Sequence, residues 1–257
     1  MKFIFKAVGV IVASVVLLFG YLYFYTGGMT RVADDFFASL TSEQHGQATA
    51  LLSGFIQDDS TNVFSYLESN GMDYVQDTSW HARNFVNNKG SIAGELINGQ
   101  GISIPTRMDF FKEAGDWKIF AIAKQTPKAT LEPAEPSLQK QESLVTQSMA
   151  NFMSAAQQKS MASFHQQIAK FWQAQISVSE LDQAFGSIYN YTGDLNFLNG
   201  IKPTIEAASI DQDNLLVIDG FFPLTTSRIM IKQKYIYEAT EWKLLSFSYN
   251  NEKTNSG

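Results

Sequence analysis

The chain has 257 residues, with 19 Lys and Arg against 25 Asp and Glu for a net charge of −6, and it contains no cysteine and three histidines. Its length accommodates one large domain or two of about 100 residues each. The missing cysteine excludes disulfide scaffolds, thiolate metal sites and cysteine nucleophiles, while His45, His81 and His165 lack the i, i+4 spacing of a helical metal pair, so no metal site is expected.

Residues 7–25 read AVGVIVASVVLLFGYLYFY without one charge. As a helix this run spans about 28 Å, the thickness of a bilayer's hydrocarbon core. Lys2 and Lys6 precede it and the next cation is Arg31, so the positive-inside rule predicts a cytoplasmic N-terminus and an exported remainder. Tyr21, Tyr23 and Tyr25 suit the far interface. A cleaved signal peptide shares the lysines and the apolar run, but this run is long and no A-x-A-like site closes it. The expected location is thus the bacterial inner membrane, single-pass, with the later domains in the periplasm. Without Lys2 and Lys6 the chain stands at −8, a poor match for nucleic acid, whose binding needs clustered Lys and Arg.

The main organising feature is an internal repeat. Glu113-Ala114-Gly115-Asp116-Trp117-Lys118-Ile119 recurs as Glu238-Ala239-Thr240-Glu241-Trp242-Lys243-Leu244, an offset of 125. At that offset residues 91–96 fall on 216–221. In the helical part the offset shrinks to about 115, which requires an insertion of about ten residues in the second copy.

The first copy is predicted to begin with a helix through residues 35–40. Thr41 and Gln44 have capping-box spacing for a second helix running to about residue 53, and a third helix over 61–70 stops at Gly71. Strands follow over 78–86, 91–97, 101–113 and 117–123, with Asn98-Gly99 predicting a two-residue type I′ hairpin. The second copy places a helix through 150–155, a capping box at Ser177 to Glu180 with Leu181, Phe185 and Ile188 on one face, and strands over 203–210, 214–222, 225–238 and 241–249. Pro127, Pro133 and Pro136 fall in a polar stretch that reads as a linker. The predicted organisation is a stub and membrane helix over 1–28, a first domain over 29–124, a linker over 125–140 and a second domain over 141–257.

Helices followed by an antiparallel meander define an α+β class. Three helices and a long-stranded sheet closing in G-D-W-K-I or T-E-W-K-L resemble the nuclear transport factor 2-like, or cystatin-like, superfamily over residues 30–124 and 141–250. The resemblance implies two tandem cone domains, each a curved antiparallel sheet wrapped on helices. It does not imply one activity, because the superfamily holds exported proteins without known activity, ketosteroid isomerase-like enzymes and a secretion-system scaffold subunit.

Enzymes of that superfamily keep an acidic base, a Tyr or a His inside the cone. Here Tyr74, His81, Arg83 and Asp109 are the candidates: alternation on a strand puts His81 and Arg83 on one face, and Asp109 beside Arg107 on another strand supplies a carboxylate. The competing reading is a solvated cross-strand ladder of His81, Arg83, Glu95, Arg107 and Asp109. At an offset of 125 these positions become Glu206, Ala208, Gly220, Lys232 and Lys234, so the chemistry is not repeated. Trp117 and Trp242 read as hairpin anchors, and Phe152, Phe164, Phe171 and Trp172 as a helix face packed on the sheet. No phosphate loop, dinucleotide fingerprint or nucleophile elbow occurs, and no cofactor is expected. The sequence therefore favours a noncatalytic periplasmic protein that binds an envelope partner or a small apolar ligand. An isomerase-like or dehydratase-like enzyme using the first cone, and a secretion scaffold, are the alternatives.

Overall fold

The computed structural model describes residues 27–191 and 195–253. The uncharged run at 7–25 lies outside the described residues. Among the described residues no helix is long and apolar enough to cross a membrane.

In the first half, helix α1 covers 27–41, α2 is His45–Leu51 and α3 is Ser60–Ser69. Strands β1 (Val75–Val86), β2 (Lys89–Asn98), β3 (Ser103–Glu113) and β4 (Asp116–Lys124) then pair in sequence order as an antiparallel meander. The second half repeats the plan with α4 (Leu138–Gln157), α5 (Ala162–Gln167), α6 (Lys170–Gln173) and α7 (Val178–Phe185). Its strands β5 (Thr204–Ile210), β6 (Leu216–Pro223), β7 (Ser227–Glu238) and β8 (Glu241–Lys253) again pair in order. The chain is thus α+β, and it divides between Leu131 and Glu132 into two compact units. Helix α4 starts at Leu138, where the Ser137 hydroxyl accepts from the Lys140 amide, so 138–140 are helical rather than linker.

Each unit buries its own core between helices and sheet. In the first, Phe36, Val63, Leu67, Ile92, Met108 and Ile119 are fully enclosed. In the second, Phe152 packs edge-on against Phe164, Phe185 and Phe247 at 5.5, 5.1 and 4.7 Å, geometry that favours the aromatic quadrupoles. Trp117 and Trp242 are each 7 % exposed, one at the start of β4 and one at the start of β8.

The repeat is more detailed in three dimensions than in sequence. Trp80 pairs with Gly94 and Ala82 with Ala93, leaving His81 as the extra residue of a β-bulge. In the second unit Ile205 pairs with Gly220 and Ala207 with Asp219, leaving Glu206 in the same role. A second bulge leaves Phe120 between β3 and β4, and Leu245 between β7 and β8, again 125 residues apart. Extra residues bend and twist a strand, and each sheet bends at matching points. Gly94 and Gly220 are required there: a Cβ on Gly94 would overlap the Ser79 carbonyl oxygen, and one on Gly220 the Thr204 carbonyl oxygen. Because Gly94 corresponds to Gly220, the offset within this strand is 126 and not 125, and Glu95 corresponds to Phe221 rather than Gly220. The β6–β7 connection is one residue shorter than its counterpart and restores the 125 offset.

A third shared device ties helices to sheet. The Ser53 amide donates to the Ile119 carbonyl at 2.7 Å, and the Ala169 amide to the Leu244 carbonyl at 2.8 Å. Beside them Glu113 accepts from the Ser53 hydroxyl and the Gly54 amide, while Glu238, 1 % exposed, accepts from the Lys170 and Phe171 amides. The helical offset at this tie is 116.

Several local expectations are corrected. The Thr41–Gln44 capping box does not form: Thr41 Oγ1 accepts from the Val75 amide at 3.1 Å, and Gln44 precedes α2 without a side-chain cap. Asn98-Gly99 is not a two-residue turn. Asn98 ends β2, its side-chain oxygen accepts from the Gln100 and Ile102 amides, and Gly101 takes the positive φ of 74°. The turn with positive φ at both central residues is Ala114-Gly115, at 50° and 99°. By contrast, Ser177 and Glu180 form the predicted capping box at α7. The segment between α7 and β5 carries two short 3₁₀ turns, Gly186–Asn190 and Leu195–Leu198, that have no counterpart between α3 and β1.

Candidate functional site

The bulge decides the fate of the sequence-predicted site. Strict alternation puts His81 and Arg83 on one face, but the extra residue at His81 resets the alternation. Arg83 consequently registers with Ile92 and Met108, both fully buried on the helix-facing side, whereas Asp109 registers with Ser91 and Asn84 on the other face. His81 is exposed at the bulge. It lies two strands and three residues from Asp109, which strand spacing and rise convert to about 14 Å. The structure does not bring His81, Arg83 and Asp109 into one acid–base group.

The solvated ladder needs correction too. Arg107 is 2 % exposed, and its Nη2 lies 2.6 Å from Asp109 Oδ1 on the same strand. Its Nε donates to the Leu131 carbonyl at 2.8 Å, and its Nη1 has no partner among the described residues. Residues 125–131 cover this part of the sheet: Gln125 and Ala129 are buried, the Gln125 amide donates to Pro105, and the Gln125 side chain accepts from Thr130. Burial pushes the Asp109 carboxyl above its ordinary range, while Arg107 and the Ser91 hydroxyl, 2.6 Å away, pull it back. The pair is spent on seating the start of the linker. Glu95 accepts from Ser103 at 2.6 Å.

Tyr74 stands apart from the other candidates. It is 53 % exposed, yet it is held in place: its carbonyl accepts from the Gly99 amide at 3.0 Å, and its ring lies where a Cβ on Gly99 would be. It borders a cleft of about 510 Å³ between the end of α1, α2, α3 and residues 73–74. Glu43, His45, Phe64, Glu68 and Asp73 also line this cleft, with the His45 and Phe64 rings 5.2 Å apart. Among the described residues no Lys or Arg lines it.

One internal feature escaped sequence reasoning. Gln233 and Tyr235 lie on the core side of β7, 0 % and 1 % exposed. The Tyr235 hydroxyl donates to Gln233 Oε1 and lies 3.1 Å from Ser148 Oγ, while Gln233 Nε2 has no partner among the described residues. Burial raises the Tyr235 hydroxyl pKa well above its ordinary value. Met108 and Phe110 occupy the matching positions of the first unit. Comparing the two copies on the core face of this strand would have exposed the polar replacement. His165 is accounted for locally, with Nε2 2.8 Å from the Ile176 carbonyl. Among the described residues no group of His, Asp and Glu is placed to hold a metal.

No model of a known protein family matches the chain, and no curated protein matches it in sequence.

Proposed function

We propose that this is a noncatalytic, membrane-anchored periplasmic protein whose two tandem cone domains, of nuclear transport factor 2-like type, bind an envelope partner protein or a small apolar ligand. The observation that carries this reading is the selective fate of duplicated features. Both copies keep the two bulges, the required glycine and the glutamate that ties helices to sheet. The acid–base candidates are not kept: Glu206 stands for His81 and Lys234 for Asp109. In the first copy those candidates are far apart, and Asp109 is committed to Arg107. Function placed on exposed surface rather than in a reacting centre fits that pattern. The uncharged run at 7–25 supports the tether, and the lysines before it support export of the rest.

Photocrosslinking of the full chain in intact cells tests the reading. A reproducible envelope protein or lipid adduct is expected, with the same yield in His81→Ala. Capture of neither, or loss of capture in His81→Ala, would overturn it.

A further inference from the structure

Between Arg31 and Arg83 the chain carries eight carboxylates (Asp34, Asp35, Glu43, Asp58, Asp59, Glu68, Asp73, Asp77) and not one Lys or Arg. The rest of the protein has 17 acids and 19 cations, so the whole negative balance resides in the helical layer and first strand of the first unit. The structure adds an independent fact. Among the described residues none of these eight acids takes part in an ion pair, whereas Asp109, Glu142, Asp211, Asp219, Glu241 and Glu252, all outside the stretch, do. The matching span of the second unit, residues 148–207, has three Lys and four acids. Unpaired charge of one sign repels itself and steers a partner of the opposite sign.

We propose that the helical side of the first unit is the docking surface for a basic segment of a partner protein, with Lys or Arg side chains seated in the 510 Å³ cleft at Glu43, Glu68, Asp73 and Tyr74. This rests on reading the chain as a binding protein and names the chemistry of its partner. The cleft combines what such side chains require. Three carboxylates meet the charged ends, and the Phe64 and Tyr74 rings meet the aliphatic stems and offer cation–π faces. Tyr74 is already fixed by Gly99, which lowers the ordering cost of binding. A second cleft of about 400 Å³, lined by Asp35, Ser39, Ser42, Gln44 and Gln47, flanks the same α1–α2 turn and again has no Lys or Arg among the described residues that line it. A protein segment rather than a small amine suits two neighbouring clefts joined by an acidic surface.

The test uses the purified full chain and a short synthetic peptide of repeated Lys-Leu-Ser units, with Gln replacing Lys in the control peptide. One variant combines Glu43→Gln, Glu68→Gln and Asp73→Asn. A second removes the same charge elsewhere, by Asp116→Asn, Glu206→Gln and Asp213→Asn; all six residues are exposed. The cleft variant is expected to bind the Lys peptide about tenfold more weakly or worse, and the other variant within about twofold of the original protein. Equal losses in both variants, no binding at all, or loss of spermidine binding as large as loss of peptide binding would each overturn the proposal. Photocrosslinking the cleft variant in cells separates the two levels: a partner captured as well as by the original protein refutes the basic docking surface alone, whereas no capture by either protein refutes the binding reading beneath it.

Discussion

Replacing Gly94 by Ala is the sharpest test of why each sheet bends where it does. A Cβ at that position would overlap the Ser79 carbonyl oxygen and lie 2.8 Å from Trp80 Cα, so β1 must move by about 1 Å. The pairs that flank the bulge, Trp80 with Gly94 and Ala82 with Ala93, are then lost. Two backbone hydrogen bonds at about 1 kcal/mol each, with about 1–3 kcal/mol for the strain of overpacking, give a destabilisation of about 3–5 kcal/mol. For a domain of this size that lowers the unfolding midpoint by more than about 12 °C. Gly220→Ala, placed against the Thr204 carbonyl oxygen and 3.2 Å from Ile205 Cα, is expected to do the same to the second unit. Hydrogen exchange followed by mass spectrometry during urea titration resolves peptides from each unit. Gly94→Ala should lower protection in residues 27–131 and leave 138–253 unchanged, and Gly220→Ala should do the reverse. A loss below about 1 kcal/mol would refute the bulge argument, and an equal loss in both units from either substitution would refute separate unfolding of the two cores.

Three further outcomes follow from the same physics. Gln233→Met removes an amide with an unpartnered nitrogen and installs the residue that the first unit carries at that position, so the second unit should gain about 1–2 kcal/mol in urea unfolding, with Tyr235 still bonded to Ser148. Glu238→Ala strands the Lys170 and Phe171 amides and should cost the second unit about 2–4 kcal/mol by the same assay, with partial recovery in Glu238→Gln. His81→Ala, at an exposed bulge position, should change the first unit by less than about 0.5 kcal/mol.

Much of the architecture is legible in the sequence because it is written in local chemistry. The Trp117 and Trp242 hairpins, the stop at Gly71 and the Ser177–Glu180 box depend on neighbours within a few residues. The α+β order follows from the same patterns, and the strand boundaries fall within three residues of those observed except at the end of β8, which runs four residues further, to Lys253. What was not legible depends on the partner strand. The bulge at His81 exists because Gly94 lies opposite, and it moves Arg83 to the face away from Asp109. Thr41 has the spacing of a cap, but the Val75 amide, 34 residues away, takes its hydroxyl. Arg107 has the pattern of a wet-face residue and is buried only because residues 125–131 fold back over it. The polar pair Gln233 and Tyr235 sits in an apolar period and is found only by comparing the copies. The candidate site divided along the same line: Tyr74 borders a real cleft, while the groups proposed to act with it lie elsewhere. The unpaired acids between Arg31 and Arg83 can be counted in the sequence, but their lack of ion pairs needs coordinates.

The tether and the side of the membrane on which both units stand underlie the whole functional account. Fusing alkaline phosphatase, active only outside the cytoplasm, or a cytoplasm-dependent fluorescent protein after residue 257 measures that side directly. The account predicts an active phosphatase and a dark fluorescent fusion, with the protein remaining in the membrane fraction. A fluorescent fusion with an inactive phosphatase would contradict it.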